Sequence, residues 1–233
     1  MELLKRSDGF ALAIMTALLP LLIGMTLLVF AVASFVQTDL EMKSICRSRG
    51  IAGQKQVAPL LERLLHLNPK AQQLHEEKLQ AQAAAESGST TAIAWLAEVE
   101  AQQEILEVEQ QQLIQQSNLY LQANSTLGHK ELSEKQAHIQ NGLPLFSGSL
   151  TVATLAAPEL AVRPDYPDIA PSYSPLPDFE DKQRLEQKWQ YSFSIIKPLQ
   201  RFLSGRFEFM KTCAVSLHQE NFKWIPKMKK DRF

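Results

Sequence analysis

The sequence lacks the marks of the common nucleotide- and metal-dependent enzymes. It contains no G-x-x-x-x-G-K-[ST] and no G-x-G-x-x-G, so no nucleotide-phosphate cradle is indicated. His75-Glu76 is not followed by the second histidine that a zinc helix of the H-E-x-x-H type requires. His66, His75, His129, His138 and His218 show no ligand spacing and read as ordinary surface residues. Serine, histidine and aspartate occur without a nucleophile-elbow motif, which gives their presence no weight. Neither sign of charge dominates: 24 Lys and Arg against 25 Asp and Glu leave a formal net charge of −1. That removes any global electrostatic argument for nucleic acid. Cysteine is scarce, with only Cys46 and Cys213, far apart and without C-x-x-C spacing. An oxidising compartment would permit a disulfide between them, but two cysteines are too few for a disulfide scaffold, and two free thiols are the simpler reading. The expectation is a protein that is not an enzyme and carries no metal or cofactor.

One long apolar run is present. Residues 10–36 contain no charged side chain and follow a short basic leader, residues 1–9, with Lys5 and Arg6. A helix of this length reaches roughly 40 Å, enough to cross a hydrocarbon core of about 30 Å with some tilt. The segment 10–37 therefore reads as a transmembrane helix in contact with membrane lipids. The alternative is a secretory signal cleaved after Ala33, since Ala31-Val32-Ala33 has the small-x-small pattern. The run preceding that site exceeds the usual apolar core of about 7–15 residues, and apolar character continues through Phe35 and Val36. Lys43, Arg47, Arg49 and Lys55 follow the span closely, so a simple positive-inside count would reverse the orientation. The nine-residue leader and the long body argue for an inside N-terminus, because long domains translocate largely regardless of charge.

The order of basic residues, Gly9, Phe10, an apolar stretch, Pro20 and Gly24 resembles the N-terminus of type IV pilin-like proteins. It most resembles the TadE/TadG-like proteins of tight-adherence (Tad, or Flp) pilus assembly, over about residues 5–58. The resemblance implies leader processing in the region of Gly9 and Phe10, and a cytoplasmic (inner) membrane location with a periplasmic C-terminal region. Filament-forming relatives carry Glu at the fifth position after the glycine, where this chain has Ile14. The resemblance thus implies a membrane-bound accessory pseudopilin, with other pilus-assembly or envelope proteins as partners, and not a major pilin. Pro20 could equally be a simple kink in a membrane helix, with Gly24 a packing position.

Residues 38–141 read as a helical stem followed by an antiparallel helical hairpin. From residue 57 to about 140 the chain is rich in Ala, Leu, Gln, Glu and Lys and poor in β-branched residues, which favours helix. Asn68-Pro69 marks a new helix with Asn68 as N-cap. Residues 86–91 break it, and Ser89 or Thr90 can cap the next helix, expected to run to about Ala123. Residues 124–128 should interrupt, with a shorter helix over 130–139. Asn124-Ser125-Thr126 also matches a glycosylation sequon, informative only in a eukaryotic secretory protein. A seam at alternating spacings of four and three runs through Ala92, Leu96, Val99, Gln103, Leu106, Gln110, Leu113, Ser117 and Tyr120. The hairpin itself can fill it. Alternatively Leu96, Val99, Leu106 and Leu113 could meet a partner's helix, giving an oligomer through the hairpin or the anchor. Glu98, Glu100, Glu104, Glu107 and Glu109 read as a solvated face.

Residues 142–233 change character and point to a small β-rich region, making the whole chain α+β. A strand is expected within 149–155. The Pro-rich stretch 158–177 reads as an extended loop with no regular element, followed by a short helix at 179–187. Trp189, Tyr191, Phe193 and Ile195 alternate with polar residues, as do Phe207, Phe209, Cys213, Val215 and Leu217, broken only by Lys211. Ser204-Gly205 could supply the turn between them. The tail, with Lys223, Trp224, Lys227, Lys229 and Lys230, reads as a solvated terminus or as an attachment to anionic lipid or an acidic partner.

Overall fold

The computed structural model describes residues 3–142, 146–152, 162–165, 170–175, 187–195, 208–221 and 223–228. Three helices account for most of them: α1 (Leu3–His66), α2 (Asn68–Ala85) and α3 (Thr90–Gly142). Strands β1 (Phe146–Val152), β4 (Gln187–Ile195), β5 (Glu208–Glu220) and β6 (Lys223–Met228) form one antiparallel sheet in the order β1-β4-β5-β6. Strands β2 (Val162–Pro164) and β3 (Tyr173–Pro175) form a separate two-stranded ribbon. The class is α+β.

Helix α1 is 64 residues long, roughly 95 Å at about 1.5 Å per residue, and it continues through Pro20 and Pro59. Its apolar N-terminal part passes without a break into the body. Only Leu67 separates α1 from α2, with Pro69 in the first turn where a missing N–H costs nothing. Gly88 adopts φ +76°, the left-handed conformation that ends a helix, and turns the chain into α3. Helix α3 then runs back along both predecessors: Arg63 meets Glu109, Gln56 meets Asn124, Arg49 meets Glu131 and Lys135 meets Glu41.

Three apolar clusters sit along this rod. The basal one, nearest the apolar stretch, joins Met42, Cys46, Leu132, Trp189, Tyr191, Phe193 and Cys213. The middle one packs Val57, Ala58, Leu61 and Leu64 of α1 on Leu113, Leu121, Leu217 and Trp224. The distal one has Ala71, Leu74, Val99 and Leu106, closed by Ala170. The sheet lies on α1 and α3 through its aromatic face, with close approaches at Trp189 and Val215. A Cβ on Gly128 would fall 2.6 Å from the Trp189 ring, and one on Gly50 would fall 2.5 Å from Val215 and 3.5 Å from Trp189. Gly128 of α3 therefore makes room for the indole, and Gly50 of α1 makes room for Val215 beside it.

Several expectations need correction. Helix α3 is unbroken across residues 124–128. The polar side chains there turn inward on the helix: Asn124 donates to the Tyr120 carbonyl and Thr126 to the Gln122 carbonyl. Gly128 serves Trp189, not a turn. Asn68 is not a cap; the residue before α2 is Leu67, and no side chain caps it. The Asn68 amide instead donates to the Tyr173 carbonyl (2.7 Å) and accepts from its N–H (2.9 Å), holding β3 as a neighbouring strand would. The Pro-rich stretch does contain a regular element, the β2–β3 ribbon. Its prolines, Pro164 and Pro175, end its strands, where a missing donor does little harm. Strand β1 covers 146–152, earlier than expected, because Phe146 to Val152 pair with Ile195 to Trp189. Within the tail, Lys223–Met228 form a strand and not a free segment: β6 pairs with β5 from Glu220–Lys223 to Val215–Met228. The helix expected at 179–187 falls outside the described residues, apart from Gln187, which opens β4. Phe207, the Ser204-Gly205 turn, Lys229 and Lys230 also lie outside them.

Candidate functional site

From Ile14 to Phe30 the apolar stretch is exposed. Leu22, Leu27, Leu28, Val29 and Phe30 are all more than half accessible, with Phe30 at 69%. Helix α1 is long and apolar enough to cross a membrane, and no part of the apolar window is buried within the protein. Gly24 would meet nothing within 4 Å on gaining a Cβ, so its small size is not used inside the chain. Pro20 lies within the helix. Gly9 and Phe10 lie in its first turns.

Where this stretch enters the body, a polar cluster replaces the apolar surface. Asp39 is buried at 8% exposure and has three partners from three elements, α1, β4 and β5. The Tyr191 hydroxyl donates to Oδ1 at 3.0 Å, Lys43 Nζ reaches Oδ2 at 2.5 Å, and Lys211 Nζ lies 3.9 Å from Oδ2. The bond to Asp39 holds the Lys43 ammonium above its ordinary range. Lys211 pairs in register with Tyr191, which puts it on the aromatic face of the sheet. That explains why it alone breaks the β5 alternation: the face ends at this level, and the carboxylate of α1 needs a cation. The break was visible in the sequence, but its partner was not.

Phe35 closes the apolar side of this junction, edge-on to Phe193 at 5.4 Å between ring centroids. One helical turn beyond Met42, Cys46 is disulfide-bonded to Cys213 of β5, with Cα atoms 6.4 Å apart. The expectation of free thiols is overturned, since the helix and the sheet bring residues 167 positions apart into bonding range. Two interhelical ion pairs complete the basal body. Glu41 accepts from Lys135 (2.9 Å) and Glu131 from Arg49, and each partner holds its carboxyl below the usual carboxylate range.

The remaining candidate residues fall elsewhere. Val99, Leu106 and Leu113 are buried against α1 and α2, and Leu96 is half-buried, so the seam is filled from within the chain. It passes through Leu121, not the exposed Tyr120, because an α-helix drifts about 20° per heptad from a strict seven-residue repeat. The seam then continues through Asn124, Gly128, Leu132 and Gln136, which the expected interruption had hidden. Asn124 is buried and bonded to Gln56, which removes it as a glycan acceptor. Trp224 packs on α1 with its backbone N–H donated to the Glu62 carboxylate, while Lys223 and Lys227 are exposed. Glu62 lies more than six helical turns beyond Val36, so this tryptophan cannot reach a bilayer holding the apolar stretch.

Among the described residues, no group of three His, Cys, Asp or Glu gathers to hold a metal ion. The basal cluster has an acid and two cations, all satisfied by one another. Chemically it can hold the sheet to the helix, fix their angle and stop the apolar surface at a defined level. No known family, curated protein or solved structure matches the chain.

Proposed function

We propose that the protein is a non-enzymatic, single-pass membrane scaffold that presents a rigid helical arm to partners outside the cytoplasm. The observation that carries this reading is the exposed apolar stretch continuing as one helix into a packed body. A soluble protein seldom leaves so large an apolar surface uncovered, whereas a bilayer covers it directly. The Cys46–Cys213 bond favours an oxidising compartment for the body, and hence an inside N-terminus. From Gln37 to Ala85 the paired helices would extend about 70 Å from the membrane surface.

Within that reading, the Gly9–Phe10, Pro20 and Gly24 arrangement supports a place among TadE/TadG-like accessory proteins of pilus assembly or a related secretion system. The location would then be the inner membrane with a periplasmic body. Ile14, in place of the assembly glutamate, favours a protein that stays in the bilayer.

Fractionation tests the anchor. The intact chain should stay with membranes through high salt and alkaline washing and need detergent for release; intact chain in the aqueous extract would overturn the proposal. N-terminal sequencing of the mature protein separates it from a secreted form, which would begin at Ser34. Purification from solubilised membranes addresses the narrower reading, which recovery of no pilus or secretion component would count against.

A further inference from the structure

Helix α3 carries a second seam on the side away from α1 and α2. Ala94, Ala97, Ala101, Ile105, Val108, Gln112, Gln115 and Leu119 recur at spacings of three and four, and all are exposed. Ile105 is 69% accessible, Val108 49% and Leu119 64%. The inner seam of the same helix explains none of these residues, since it is occupied by Val99, Gln103, Leu106, Gln110 and Leu113. Three alanines followed by Ile105 and Val108 form a shallow groove into which another helix could settle closely, with knobs in holes.

The charge around this groove is of one sign. Between residues 79 and 129 there are six glutamates and no lysine, arginine or aspartate. Glu98 flanks the outer seam on one side and Glu100 and Glu104 on the other, all three exposed. A second copy docked through the same face would set glutamate against glutamate, which is destabilising at coiled-coil flanks. The near-neutral chain as a whole hides this, because its cations are concentrated elsewhere.

We infer that the outer face of α3 over residues 94–108 docks an amphipathic helix of another protein, one with apolar residues at three–four spacing flanked by Lys or Arg. This rests on the membrane-scaffold reading for its setting, but not for its chemistry. The Arg63–Glu109 pair puts the site's near end level with residue 63, about 40 Å along the helix from the apolar stretch. A lipid surface is therefore not its ligand.

Site-specific photo-crosslinking tests the inference. A benzoylphenylalanine is placed at Val108 in the full chain, expressed in its native host, with the same group at Met210 of the sheet as control. The expected adduct joins Val108 to a helical peptide with Lys or Arg flanking an apolar seam. Its yield should fall roughly tenfold or more in the Glu98→Lys, Glu100→Lys, Glu104→Lys variant and drop with added salt. These side chains are exposed, so the variant should keep the helical content of the parent, which circular dichroism checks. An adduct only with a second copy, an adduct with a peptide lacking basic flanks, or no adduct beyond the Met210 control would overturn it. Membrane fractionation of the same cells reports on the anchor separately.

Discussion

The basal body and the distal arm share helix α3 but differ in what is packed against it. Near the apolar stretch, α3 meets α1 and an aromatic sheet, with Trp189 seated on Gly128, Val215 on Gly50 and a disulfide across the interface. Beyond residue 67, α3 meets α2, and the buried side chains shrink to Ala71, Leu74, Ala81, Val99 and Leu106. Polar groups take the remaining positions. Gln110 donates to the Pro171 carbonyl at 2.8 Å, and Gln103 is fully buried with neither amide atom bonded. Large apolar groups and a covalent crosslink give the base its stability; the arm depends on small residues and on the β2–β3 ribbon docked by Asn68. The expected order of opening is therefore arm first, base last.

Replacing Trp189 with Ala is the strongest test of that order. It empties the space beside Gly128 and should cost about 3–5 kcal/mol in denaturant unfolding of the solubilised protein. Hydrogen exchange should rise in β4, β5 and the facing part of α1 before it rises in α2; a loss confined to α2 would reverse the comparison. Cys46→Ser with Cys213→Ser comes next, at about 2–5 kcal/mol, because the bridge closes a very long loop. Its presence shows as a mobility difference between reduced and unreduced chain on a gel.

In the arm the sign should change. Gln103→Leu removes two buried, unbonded polar atoms and should stabilise the α2–α3 pair by about 1–2 kcal/mol, read as slower exchange in α2. A loss instead would mean that Gln103 holds a bound water. The smallest effect belongs to Arg49–Glu131, a half-exposed pair whose loss in Arg49→Ala should cost less than about 1 kcal/mol. Its pH dependence has a definite direction. The Glu131 carboxyl is lowered in the folded protein, so its contribution is present above the ordinary carboxylate range and fades as pH falls through the lowered value. Acid titration of stability should therefore show a smaller slope for Arg49→Ala than for the parent.

The elements with strong local signals were legible. The apolar run, the helical middle, the break at Gly88 and the alternation of β4 and β5 each follow from short-range periodicity. Most of the failures share one cause. Asn68, residues 124–128 and Cys46 each take their role from a distant partner: Tyr173, Trp189 and Cys213 respectively. The Lys223–Met228 strand is the exception, since it pairs with its neighbour β5 in a hairpin. Lys211 is an irregularity in the β5 alternation, but nothing near it in sequence identifies Asp39 as the reason.

Sequence alone thus determined that an uncharged apolar helix precedes a helical segment and a short alternating sheet, because hydrophobic period and backbone propensity act over a few residues. Tertiary structure decided which face of α3 is filled and which remains open, that the thiols are joined, and where the buried aspartate finds its cations. Those depend on close approach of residues tens of positions apart for α3 and more than a hundred for the disulfide and Asp39, and local pattern carries no record of such distances.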